Sequence, residues 1–165
     1  MQKYLFLVCP TDCLEHTINK TFKYENFFYT SLGNSFIYDS KTIDYIRHFV
    51  RKHHIEEIYF VLSMDNKIVS DVSGNNEFSN IRSLTNFYKD ITKQKEHSKL
   101  LFQRSNDQFT VLSYFLNKKI KELESQLTDL SNHSIQIGGK IYHRDQNVFT
   151  NIRSDLVCLQ KYHQN

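Results

Sequence analysis

The sequence predicts a three-layer α/β/α domain with a mostly parallel central sheet. Three observations carry that expectation. Short runs that are apolar throughout, Tyr4-Leu-Phe-Leu-Val-Cys9 and Ile58-Tyr-Phe-Val-Leu62, suit strands covered on both faces. Amphipathic helical patterns alternate with them, and strand, helix and strand in close succession imply right-handed crossover units. The chain has 165 residues and reads as one domain, 1–165, long enough to bury a core without staples.

Taken in order, residues 3–9 form the first strand. Asp12 with Glu15 reads as a capping box, so a helix should start near Cys13. Phe27 to Thr30 is a second short strand, followed by a Leu32-Gly33-Asn34 turn in which Gly33 supplies a positive φ. Asp39 or Ser40 then caps a helix whose apolar face is Ile43, Ile46, Phe49 and Val50. Ile58 to Leu62 is the third strand. Residues 70–106 are polar and weakly periodic, with a helical reading over Asn80 to His97 around Ile81, Leu84, Phe87, Tyr88 and Ile91. The clearest helix lies near 107–130, where Phe109, Leu112, Leu116, Ile120, Leu123, Leu127 and Leu130 step by three or four. Ile135 to Tyr142 is a late strand, Arg144-Asp-Gln-Asn147 a turn, and Val148-Phe149 the return. Leu156, Val157 and Leu159 close the chain with a short element.

Composition narrows the function. A formal charge of +3 is too small to point to nucleic acid. Cys9, Cys13 and Cys158 are an odd set that fits a reducing cytoplasm better than a disulfide framework. The first apolar run is too short for a membrane span and runs into Pro10, so no membrane partner is expected.

Three stretches, in order, resemble the β-class carbonic anhydrases. Phe28-Tyr-Thr-Ser-Leu-Gly33-Asn34 is similar to that family's Arg-Asn-Ala-Gly-Asn turn, keeping Gly-Asn and losing Arg-Asn. Thr42-Ile-Asp-Tyr45 resembles the Ser-Leu-Glu-Tyr that opens the following helix, with Ile58 to Leu62 as the strand after it. Ile135-Gln-Ile-Gly-Gly-Lys-Ile-Tyr142 with Val148 resembles the last strand and hairpin. The resemblance implies the fold named above and a two-fold homodimer. In that family the site is built at a subunit interface and the sheet extends across it. Phe22, Tyr24, Phe27 and Phe28 offer apolar surface for such a contact.

The departures fall on the chemistry. The family motif Cys-x-Asp-x-Arg reads Cys9-Pro10-Thr11-Asp12-Cys13, so Thr11 and Cys13 stand where the resemblance places the gating Asp–Arg pair. The motif His-x-x-Cys reads Met64-Asp65-Asn66-Lys67, so Met64 and Lys67 stand at two of three zinc-ligand positions. A catalytic zinc needs three protein ligands and an open position, and neither a thioether nor an ammonium replaces an imidazole or a thiolate. The resemblance therefore implies no metal and no catalytic residues. The expected function is a non-catalytic, dimeric binding or interaction module for a protein partner or a small anion. The alternatives are an enzyme of altered metal or thiol chemistry centred on Cys9, or a divergent carbonic anhydrase. Lys67 would replace the zinc charge, holding an anion or pairing with Asp65.

Several other patterns are weaker. Cys9-x₃-Cys13-x₂-His16 matches no common zinc spacing. Cys13 falls near a predicted helix N-terminus, where a thiol is activated. His48, Arg51, Lys52, His53 and His54 make a basic helix end, read first as favourable charge placement. Lys89, Lys93, Lys95 and Lys99 read as a solvated face. Ser63, Asp65 and Ser70 form no hydrolytic set, because no histidine or nucleophile elbow accompanies them.

Overall fold

The computed structural model describes residues 2–101, 108–128 and 135–153, with the side chains of 97–101 excepted. Its elements are β1 (Lys3–Val8), α1 (Glu15–Thr21), β2 (Glu25–Thr30), α2 (Ser40–His53), β3 (Glu57–Ser63), α3 (Lys67–Asp71), α4 (Thr85–Leu101), α5 (Gln108–Gln126), β4 (Gln136–His143) and β5 (Val148–Asn151). The sheet runs β2-β1-β3-β4-β5. Its first four strands pair in parallel, and β5 returns antiparallel to β4. The expected α/β class with a mostly parallel sheet is therefore observed.

The two faces of the sheet are covered unequally. Leu5, Leu7, Phe60 and Leu62 pack on one side with Ile46 of α2, Ile68 of α3, Phe87 of α4 and Leu112 of α5. On the other side Tyr4, Phe6, Val8 and Val61 meet Leu14 and Ile18, the latter from α1, with Phe22, Phe28, Tyr59 and Phe149 packed around them. Rings do much of the covering there: Phe6 stacks on Phe28 and Tyr59 at centroid distances of 6.0 and 5.8 Å. Lys140 of β4 lies 4.4 Å over the Tyr59 ring, and its amine is held below the usual lysine range by burial.

Local choices follow from side-chain chemistry. Asp39 caps α2 by accepting the Thr42 N–H at 2.7 Å, and Ile43, Ile46 and Val50 are buried as the helical period requires. Arg51, Lys52 and His53 fill the last turn of α2, where cations meet the negative end of the helix dipole. His53 also packs on Phe27 and Phe49, at 4.7 and 4.3 Å between ring centroids. Helix α5 buries Leu112, Leu116, Ile120 and Leu123 of the predicted stripe, and Leu127 just past its end, while Leu130 lies outside the described residues. In the poorly readable stretch a 3₁₀ turn, Arg82–Leu84, precedes α4; Leu84, Phe87 and Ile91 are buried and Ile81 is exposed. Of the four lysines read as a solvated face, Lys89 and Lys93 are exposed on α4, Lys95 is half-buried, and the Lys99 side chain lies outside those described. Leu156, Val157, Cys158 and Leu159 lie outside the described residues.

One local expectation is overturned. Asp12 forms no capping box: it ends a 3₁₀ turn, Pro10–Asp12, and α1 starts at Glu15 behind Leu14 with no side-chain cap. Cys13 has a left-handed backbone (φ 52°) and precedes the helix cap, its thiol turned back 3.5 Å from the Pro10 carbonyl. The Asp12 carboxylate is drawn elsewhere, to donors far along the chain.

Candidate functional site

The strand order reverses between β1 and β3: β1 is followed by β2 on one side and by β3 on the other. Open α/β sheets place ligands at the carboxyl ends of the strands beside such a reversal. Here that edge carries the turn after β1, the Leu32–Asn34 turn after β2, the Ser63–Asn66 segment after β3 and the hairpin after β4.

Cys9 is fully buried; its Sγ accepts the Gly33 N–H at 3.1 Å and lies 3.1 Å from Thr11 Oγ1. Gly33 makes this approach possible, since its φ is +59° and a β-carbon there would stand 2.7 Å from the Phe87 ring. Asn34 donates its side-chain amide to the Val61 carbonyl at 2.8 Å, bridging from β2 across β1 to β3.

Asp12, 2% exposed, is the centre of the edge. Its two carboxylate oxygens accept the Ser63 N–H and the Asn66 side-chain amide, each at 2.8 Å. Asn66 in turn caps α3 by accepting the Val69 N–H at 2.9 Å. Burial pushes the Asp12 carboxyl up to about 6, against the two hydrogen bonds that favour its charged form. Arg144 closes the arrangement from outside, donating to the Asp12 carbonyl and to the Asp65 carboxylate, each at 3.1 Å. Asp65 also accepts the Ser63 hydroxyl, which with Arg144 holds its carboxyl below the usual range.

The residues singled out in the sequence are distributed unevenly. Cys9 and Thr11 meet. Met64 follows β3 directly, half-buried, its N–H bonded to the Tyr142 carbonyl and its carbonyl accepting from Gln108. Lys67 is exposed at the start of α3, and Cys13 is exposed on the turn. The pairing of Lys67 with Asp65 is not formed; Arg144 takes that carboxylate. Ser63 and Asp65 are in contact, but Ser63 is fully buried and the group attached to the pair is an arginine, so it offers no exposed nucleophile. Sequence reasoning missed Asn66 and Arg144 as partners of Asp12. The available signal was an arginine just past the end of a predicted strand beside the reversal.

The residues at this edge do not fit a zinc ion. The Cys9 thiol is occupied by Gly33 and Thr11, the Cys13 thiol turns back to the Pro10 carbonyl, and both oxygens of the buried carboxylate are taken. Among the described residues, no three His, Cys, Asp or Glu side chains are grouped to hold a metal. The edge presents to solvent the Arg144–Asp65 pair, with side chains 50% and 59% exposed, together with Lys67 and Cys13.

No protein-family model matches the sequence, and no curated protein matches it. The fold is that of the β-carbonic anhydrases. A β-carbonic anhydrase of the fungal pathogen Aspergillus fumigatus superposes with a TM-score of 0.71 at 17% identity, covering 94% of this chain and 77% of that one. Tetrameric β-carbonic anhydrases of the ascomycete Sordaria macrospora give 0.71 at 12% identity, over 95% and 81% of the two chains. The Coccomyxa enzyme in complex with acetazolamide gives 0.69 at 10% identity, over 92% and 72%.

Proposed function

We propose that this chain is a cytoplasmic, self-associating protein of β-carbonic-anhydrase fold that does not hydrate CO₂ and acts by binding. Its partner is another protein, or a small anion held at the carboxyl edge near Arg144. One observation carries this reading. The two groups at the edge best suited to chemistry, the Cys9 thiol and the Asp12 carboxylate, are buried and fully engaged in hydrogen bonds with their own chain. A catalytic centre keeps such groups free to change partners during the reaction. The same burial speaks against thiol chemistry at Cys9. Support for a cytoplasmic setting is that Cys9 and Cys13 are both unbridged thiols.

Self-association is supported by the edge of β2, which pairs with no further strand among the described residues. Glu25 N–H bonds to Gln2 and Ser31 N–H to Val8, so by the two-residue period Asn26, Phe28 and Thr30 turn their N–H groups outward. The test is zinc stoichiometry by mass spectrometry on untagged protein purified without chelator, with a CO₂-hydration assay and light scattering on the same sample. Expected are no stoichiometric zinc, no hydration above buffer and a dimer. Stoichiometric zinc with hydration would overturn the proposal.

A further inference from the structure

Ligands drawn from adjacent strands make a metal ion a cross-link, and the free energy of its binding becomes part of the free energy of folding. Without that cross-link, hydrogen bonds between the turns can join the same strands. Here the turn after β1 is joined to the segment after β3 through Asp12 Oδ2 and Ser63 N–H. Ser63 Oγ bonds Asp65, Asp65 bonds Arg144 Nε, and Arg144 Nη2 returns to the Asp12 carbonyl. The path is a closed loop that brings in the hairpin after β4. Asn66 sits within it, one amide hydrogen on Asp12 and its oxygen on the Val69 N–H. The turn after β2 is attached separately, through Gly33 N–H to Cys9 Sγ.

We infer that the closed hydrogen-bonded loop through Asp12, Ser63, Asp65 and Arg144 ties the carboxyl edge together in place of a metal ion, so that the edge is fully formed in metal-free protein. The inference rests on the metal-free reading above. Asp12, Ser63 and Asn66 are at most 2% exposed, and the carboxylate, the amide and the serine hydroxyl are all paired. The buried members, Asp12, Ser63 and Asn66, are rigid when fully paired and unfavourable when one is lost, because the remaining buried donors cannot reach water, while Asp65 and Arg144 close the loop at the solvent rim. Asn66 also holds the start of α3 against Asp12. Asn66 cannot leave Asp12 without uncapping α3, and in that arrangement Lys67 stays in solvent.

The test uses the full chain. Its thermal midpoint is measured as purified, with excess chelator and with added zinc, and the three values should agree. Asp12→Ala and Asn66→Ala are each expected to lower the midpoint by about 5 °C. The double variant should fall little further than either single one, because the two side chains act as one unit. Arg144→Gln, at the rim, should speed amide exchange at Ser63 and Met64 and leave the β2 amides unchanged. If Asp12→Ala does not fold, the Arg144 variant and the chelator comparison still decide the matter. A midpoint that rises in zinc, or additive losses in the double variant, would overturn the inference. Hydration activity alongside a metal-independent midpoint would instead sink only the non-catalytic reading.

Discussion

The ring of Tyr59 lies over Gly138, its cross-strand partner in the β3–β4 pair, so closely that a β-carbon on the glycine would stand 2.9 Å from it. The glycine is the space the ring occupies. Gly138→Val should therefore overpack this face and lower stability by about 1–3 kcal/mol, read from a urea midpoint. Tyr59→Ala in the same chain should recover part of the loss. A neutral Gly138→Val would mean that the ring lies elsewhere.

Gly33 combines positive φ with close approach to Phe87. Gly33→Ala should cost about 1 kcal/mol for backbone conformation alone, and more for the clash with the ring. Phe87→Leu should relieve the second part and not the first. A double-mutant cycle by chemical denaturation separates the two.

Asp12 predicts an unusual pH dependence. Its folded pKa, about 6, stands above the ordinary 3.8, because burial opposes its charge. Between those values the folded chain retains a proton that the unfolded chain has released. The stability this group contributes is full below about pH 4 and lost as pH rises through about 6, on the order of 2–3 kcal/mol. Asp65, whose carboxyl is held low and which is well exposed, works in the opposite direction at lower pH and weakly. Urea midpoints between pH 4 and 7 should decline in the wild type and stay flat in Asp12→Asn. A wild-type profile that rises over that range would refute the assignment.

Thr30 is exposed at the end of β2, with its N–H turned away from β1. Thr30→Pro removes that donor without touching the β1–β2 ladder. Light scattering should then report a monomer where the wild type is a dimer. A dimer that survives the substitution would place the contact away from this edge.

Met64→His with Lys67→Cys supplies the donors that the family motif has and this chain lacks. Because residue 67 faces solvent while Cys9 is buried, the graft should take up zinc well below one ion per chain. Full occupancy, measured by mass spectrometry, would show that the edge rearranges freely around a metal.

The sheet was legible because β1 and β3 are covered on both faces and so read as unbroken apolar runs. Helix α5 was legible because its stripe keeps the helical period. Residues 70–106 were legible only weakly, since polar side chains organise the start of that stretch. Asp71 gathers the Glu77 and Phe78 N–H groups and the Tyr88 hydroxyl, leaving no apolar rhythm to detect. The edge was half legible. Cys9 and Thr11 were read only as positions of one motif, and Asp12 was assigned to its neighbour Glu15 because local spacing cannot reveal donors that arrive from β3 and the segment after it. Arg144 reads in sequence as one member of a polar turn, and only the folded hairpin brings it to Asp12.

That edge also holds the hydrogen bond with the widest sequence separation among the described residues, from Arg144 to the Asp12 carbonyl. Asp12 meets Ser63 across 51 positions, and Arg144 meets Asp65 across 79 and Asp12 across 132. Contacts of that span close late, after the loops between them have already lost their freedom to shorter-range structure. During synthesis, β1, β2 and β3 can pair while the arginine is still unmade. The carboxyl edge thus acquires its final order only when the β4–β5 hairpin arrives, and a ribosome-bound chain ending before residue 135 should leave the Asp65 carboxylate and the Asp12 backbone carbonyl without the Arg144 guanidinium.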